Sequence, residues 1–128
     1  MSNVLPGLKY SKEHEWVKMD GNIATVGISD HAQSQLGDIV FVELPKVGAS
    51  VTFMKAFGVV ESVKAASDIF SPVSGKITAV NDQLAKSPES INKDCYGTGW
   101  MVKIELSKPD ELNQLLDEKA YKALIEKA

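Results

Sequence analysis

The chain has 128 residues, 44% of them hydrophobic, which is enough for one domain with a real core and no metal or disulfide staple. Its net charge is −3, and all fourteen basic residues are lysines scattered along the chain. This composition argues against nucleic-acid readout, anionic membranes and phosphate-centred catalysis, which lean on basic faces and the guanidinium fork. The single Cys95 leaves no partner for an internal disulfide and no cysteine metal site, so a reducing compartment is expected. The N-terminal stretch has neither an apolar signal core nor an arginine-rich amphipathic pattern. A soluble chain, or one already processed, is therefore expected.

From about Val17 the pattern is short strands between turns. Strands are expected over Ile23 to Ile28, Ile39 to Leu44, Val51 to Phe53, Phe57 to Val63, Ile69 to Val73 and Lys76 to Val80. Trp100 to Leu106 closes the series, with Trp100, Val102, Ile104 and Leu106 alternating onto one face. Gly and Pro signals at Asp20-Gly21, Gly37-Asp38, Pro45 to Gly48, Pro72 to Gly75 and Gly97 to Gly99 separate them. Ser29 is a candidate N-cap for a short helix through Leu36, stopped at Gly37. A helical turn is expected near Ser87-Pro88. The tail, about 108–127, reads as two helices, the first opened by Pro109 and the second re-capped by Asp117. The expected fold is mainly β: a flattened barrel or sandwich hybrid in a single domain over 1–128, with short peripheral and C-terminal helices.

The segment from Gly58 to Ser71 carries the candidate chemistry. Two strand-like arms flank a centre of small residues, so Lys64 is expected near the tip of a hairpin spanning about 57–73. A swinging arm needs such a place: a rigid base, a long stem and no steric cover from Ala65 and Ala66. A lone exposed lysine usually only solvates a surface. Here the spacing adds to it, with Glu61 three residues before, Gly48 sixteen before and Gly75 eleven after. The two glycines are expected to turn the strands that embrace the hairpin, where φ must be positive.

Glu61-Ser62-Val63-Lys64, with Gly48 and Gly75 at those distances, resembles the attachment site of lipoyl domains. His14-Glu15-Trp16, His31-Ala32-Gln33, Leu36-Gly37-Asp38, Val40-Phe41-Val42, Ser71 to Gly75 and Gly99-Trp100 extend the likeness over nearly the whole chain. In this the chain resembles the glycine cleavage system H proteins of the lipoyl-carrier family. The resemblance implies a lipoate cofactor joined to Lys64 as an amide, which takes the net charge from −3 to −4. It also implies Glu61 as a recognition residue for attachment, with Gly48 and Gly75 as hairpin framework. The implied role is a non-catalytic shuttle for the aminomethyl group of glycine. The implied partners are the pyridoxal-phosphate-dependent glycine decarboxylase (P protein), the tetrahydrofolate-dependent aminomethyltransferase (T protein), the dihydrolipoyl dehydrogenase (L protein) and the lipoyl-attaching enzymes. A monomer is expected, with no nucleic-acid or membrane partner, in a bacterial cytoplasm or, for a processed organellar protein, the mitochondrial matrix. The resemblance further implies a cleft that shelters the loaded arm, with Glu15 and Asp68 as candidate carboxylates for its amine; the plainer reading makes both surface acids.

Other readings fare less well. His14 and His31 are the only histidines, and the helical spacing of a zinc motif is missing, so no metal is expected; His14 is expected to hydrogen-bond near Trp16 and His31 to sit in the short helix. Ser62, Ser67, Ser71 and Ser74 lack a nucleophile elbow. A biotinyl carrier shares the hairpin lysine, but Val63-Lys64-Ala65 has no flanking methionine. A lipoyl intermediate in lipoate delivery would use the same residues. An enzyme would need a convergent pocket of titratable groups, which the sequence does not supply.

Overall fold

The computed structural model describes residues 3–127, so the first two residues and the last of the expected 1–128 domain lie outside it. Nine strands form two antiparallel sheets. The larger has the order β1-β2-β3-β9-β8-β5, built from Lys9–Tyr10, Glu15–Asp20, Ile23–Ile28, Val102–Leu106, Gly75–Val80 and Ser50–Val51. The smaller has the order β4-β6-β7, from Ile39–Glu43, Ala56–Ser62 and Ala66–Phe70. This is the unclosed sandwich expected from the spacing of the turns.

Alternation explains the larger sheet. Val102, Ile104 and Leu106 are buried while Lys103 and Glu105 face out, and Ala24 and Val26 of β3 pair with Ile104 and Val102 on the same inner side. Val42, Val60 and Ile69 of the smaller sheet meet them, closing a core with Ile77, Leu84, Ile91 and Met101. Each such side chain removed from water contributes about 1.5–3 kcal/mol. Trp100, expected in the alternating row, is only half-buried and lies before β9; Lys103 covers its ring at 5.3 Å.

Ser29 caps α1, Asp30–Leu36, by accepting the Ala32 amide, and Gly37 ends it. Two short helices missing or loosely placed in the sequence reading follow β8: α2, Gln83–Lys86, and α3, Ser90–Lys93. The tail differs in kind from the expectation. Pro109–Gln114 is a 3-10 helix, tied to the sheet where Glu111 accepts from the Ser74 amide (2.6 Å) and hydroxyl (2.8 Å). Asp117 then accepts the Ala120 amide at the start of α4, Glu118–Lys127. The hairpin spans 56–70 rather than 57–73. Pro72 has no amide to donate, and the Ser71 hydroxyl bonds the Val73 carbonyl, so Ser71 to Val73 form a buried bend instead of strand. The sequence reading also missed β1, and β2 starts at Glu15, two residues earlier than the pattern suggested.

Candidate functional site

Lys64 stands at the free tip between β6 and β7, exposed along with Val63, Ala65 and Ala66. The Ser62 amide donates to the Ala65 carbonyl at 2.7 Å, and the Ser62 hydroxyl accepts the amides of Lys64 and Ala65. No residue of this turn has positive φ, so Val63 and Lys64 fit it without the glycine or asparagine that tight hairpins often need. The tip is also braced from the side: the Val63 amide donates to Asp38 O at 3.1 Å. That loop is fixed by Asn92, whose side-chain oxygen accepts the Ile39 amide and whose nitrogen donates to Gln33 Oε1 and Gly37 O. Sequence reasoning overlooked Asn92, and nothing local marks it, because its partners lie more than fifty residues away in the chain.

The lysine stem runs over Gly37. A Cβ built at Gly37 would lie 3.6 Å from Lys64 Cε, and the backbone there has φ +82° and ψ −153°, a region nearly restricted to glycine. Leu36, the residue before Gly37, lines a cleft of about 460 Å³. Its apolar lining is Ala32, Leu36, Phe70 and Ile125; its polar groups include Glu13, His14, His31, Ser67 and Asp68. Helix α1, strand β7 and helix α4 thus each contribute one wall.

Of the two expected cleft acids, Asp68 is exposed on β7 and lines the cleft. Glu15 is neither a surface acid nor part of the lining. It is 1% exposed, with Oε1 accepting from the Ser11 hydroxyl at 2.5 Å and Oε2 from the Phe70 amide at 3.2 Å. Burial pushes its carboxyl up to about 8, against the pull of those two hydrogen bonds. Its reach to the cleft is indirect, through Phe70. Glu61 is half-buried on β6, opposite Phe41 and Ala66, and makes no ion pair with Lys64.

The framework glycines divide. Gly48 has φ +93°, as expected, and its amide donates to Ile77 O at 2.8 Å. Gly75, the first residue of β8, has ordinary strand φ; it is glycine because a Cβ there would overlap the Glu105 carbonyl of β9. Both sit at the β5–β8 corner of the larger sheet, and neither pairs with the hairpin.

His14 bonds Tyr121 rather than anything near Trp16: its Nδ1 lies 2.8 Å from the Tyr121 hydroxyl, which lies 2.6 Å from Ser29 Oγ. Burial lowers the His14 pKa, and the neighbouring His31 ring, 4.9 Å away, adds to that. Among the described residues no group of three or more His, Cys, Asp or Glu is placed to hold a metal ion. Cys95 is buried, and burial pushes its thiol up to about 12, so it is a poor nucleophile.

A lysine on the free tip of a hairpin, beside an open cleft and on a two-sheet scaffold, defines a carrier domain of the lipoyl type. Residues 8–128 match the family model described as Glycine cleavage H-protein. The chain is 56% identical over 126 residues to the glycine cleavage system H protein of Carboxydothermus hydrogenoformans, covering 98% of this chain and 97% of that one. It is 56% identical over 125 residues to the mitochondrial one of Pisum sativum, covering 98% and 76%. The crystal structure of a glycine cleavage system H protein from Mycobacterium marinum superposes with a TM-score of 0.87 at 35% identity, over 95% of this chain and 99% of that one. The chain belongs to the glycine cleavage H-protein family.

Proposed function

We propose that the chain is the lipoyl-carrying shuttle of a glycine cleavage system, with lipoate joined to Lys64 and no catalytic role of its own. The observation that carries this reading is the exposed Lys64 at a braced hairpin tip, its Cε over Gly37, with Leu36, Ser67 and Asp68 nearby in the chain lining the cleft. The residues suit the group: a bare amine at a braced tip for attachment, an apolar lining of Ala32, Leu36, Phe70 and Ile125 for an alkyl arm, and Asp68 for a cationic end. When bound, the dithiolane would supply the chemistry of accepting an aminomethyl group and of thiol–disulfide exchange. The protein's part is to present Lys64, to exclude water along the cleft walls and to offer one exposed tip to several enzymes in turn. Those partners are a pyridoxal-phosphate decarboxylase, a tetrahydrofolate-dependent aminomethyltransferase, a dihydrolipoyl dehydrogenase and the enzymes that attach lipoate. Visits by several partners to one tip require modest, transient interfaces. Glu61, three residues before Lys64 on β6, serves as part of the attachment signal, and residues 1–128 act as one carrier domain.

The test is intact mass with peptide mapping after expression with lipoate and a lipoate ligase. One lipoyl increment on Lys64 is expected. A folded protein that gains no increment at any lysine, with a ligase active on a control substrate, overturns the reading.

A further inference from the structure

His14 has φ +74°, a left-handed conformation that a non-glycine residue keeps only where its surroundings fix it. Its amide donates to Ser11 O at 3.1 Å, and its carbonyl accepts the Ser29 amide at 2.9 Å. The ring is held between His31 of α1 and the edge of Tyr121 of α4, at centroid distances of 4.9 and 5.6 Å. Tyr121 is itself clamped flat on Tyr10, at 4.4 Å and 4°. So much restraint on one imidazole in the wall of a cleft calls for a reason beyond packing.

Counting donors gives the direction of the hydrogen bonds. Ser29 Oγ already accepts the Ala32 amide at 3.2 Å, as the cap of α1. Among the described residues its own proton has one acceptor within reach, the Tyr121 oxygen at 2.6 Å. Tyr121 therefore spends its proton on His14 Nδ1, at 2.8 Å. Nδ1 is then an acceptor, and the ring proton sits on Nε2, for which no partner is present among the described residues. A proton on Nδ1 would leave the Tyr121 proton without an acceptor, because Ser29 and His14 would both donate to the same oxygen. Burial and the His31 ring separately disfavour the doubly protonated, charged ring, opposed by Glu13.

We infer that Ser29, Tyr121 and His14 form a one-way hydrogen-bond chain that fixes His14 as its Nε2–H tautomer, and that the cleft thereby offers a donor to a sulfur acceptor on the arm. An N–H donor cannot bind an ammonium group, whereas the cleft carboxylates Glu13 and Asp68 can. The polar groups of the cleft are thus divided by ligand: His14 for sulfur, the carboxylates for a cation. Tyr121 is a positioning residue, acting only through His14. The sulfur half of the inference rests on the carrier reading; the tautomer does not.

Nitrogen-15 NMR of the imidazole rings in the unmodified protein, near neutral pH, reads the tautomer directly. The expected result is a protonated Nε2 and an acceptor Nδ1 at His14, and a mixture of tautomers in Tyr121→Phe, which keeps the stack on Tyr10. A wild-type ring protonated on Nδ1, or charged, overturns the chain. The sulfur half is read from the pH profile of thiol alkylation on the lipoylated and reduced protein. His14→Asn, a residue that tolerates positive φ, is expected to raise the apparent pKa of an arm thiol and slow alkylation roughly threefold near neutral pH. A profile identical to wild type overturns the sulfur assignment. A chain that never takes lipoate overturns the carrier reading and the sulfur half together, while the tautomer still stands or falls on the unmodified protein.

Discussion

At the hairpin tip, Val63 is 71% exposed and Lys64 is exposed too, its Cε above Gly37. At the corner under the cleft, Glu15, Ser29 and Tyr121 are almost closed to solvent, and each polar side chain there has its partner. Among the described residues no buried side-chain nitrogen or oxygen lacks a hydrogen bond. The contrast separates two jobs. The residue proposed to meet other proteins is exposed, so it contributes little to stability. The residues that shape the shelter are paid for by the core, and their loss should be felt as unfolding before it is felt as altered chemistry.

The sharpest way to break this contrast is Lys64→Ala. All lipoyl attachment is expected to vanish by intact mass, with Tm shifted by no more than about 2 °C. A large fall in Tm would make the tip structural. At the other region, Glu15→Gln tests the buried carboxyl through pH. Its folded pKa, about 8, lies above the ordinary 4.5, so the folded state keeps a proton that the unfolded chain releases. Stability is therefore fullest below pH 4.5 and falls as pH rises through about 8, by something on the order of 3–5 kcal/mol. Urea unfolding should show this slope in the wild type and not in Glu15→Gln, which should gain on the wild type at the alkaline end. Parallel slopes would mean that Glu15 is ionised in the folded protein.

Gly75→Ala belongs to neither region and should act on the scaffold alone. Overlap of the new Cβ with the Glu105 carbonyl is expected to cost about 3 kcal/mol in chemical unfolding, with lipoylation of the folded fraction unchanged. Gly37→Ala lies at the junction of tip and cleft. Its backbone region predicts a loss of about 2 kcal/mol, measured as a shift in the urea midpoint. The smallest effect is expected from Glu61→Ala: severalfold slower modification by the ligase in a time course, with Tm unmoved. Unchanged kinetics would remove Glu61 from the attachment signal.

Much of this was legible from local pattern. Strand β3 and the capped helix α1 fall where Ile23 to Ile28 and Ser29 to Gly37 placed them, because alternation and capping are short-range. The turn at Lys64 was legible for the same reason. The β7 boundary was not, since Ala66 and Ser67 have weak strand character and extend only because β6 pairs with them. The 3-10 geometry of Pro109–Gln114 was missed too; the leucine spacing suits either helix, and the grip of Glu111 on Ser74 decides.

The sequence by itself determined the class of fold and the hairpin, since alternation and turn signals act over a few positions, and it singled out Lys64 through the wider spacing of Gly48 and Gly75. Only the tertiary structure decided what Glu15 and His14 do. Read in the chain, Glu15 is a candidate cleft carboxylate or a surface acid, and His14 is a hydrogen-bonding neighbour of Trp16. Folded, one is buried against Phe70, and the other is tied to Tyr121, which lies 107 residues away in the chain. Burial and long-range hydrogen bonding set their protonation, and neither is a property of the local sequence.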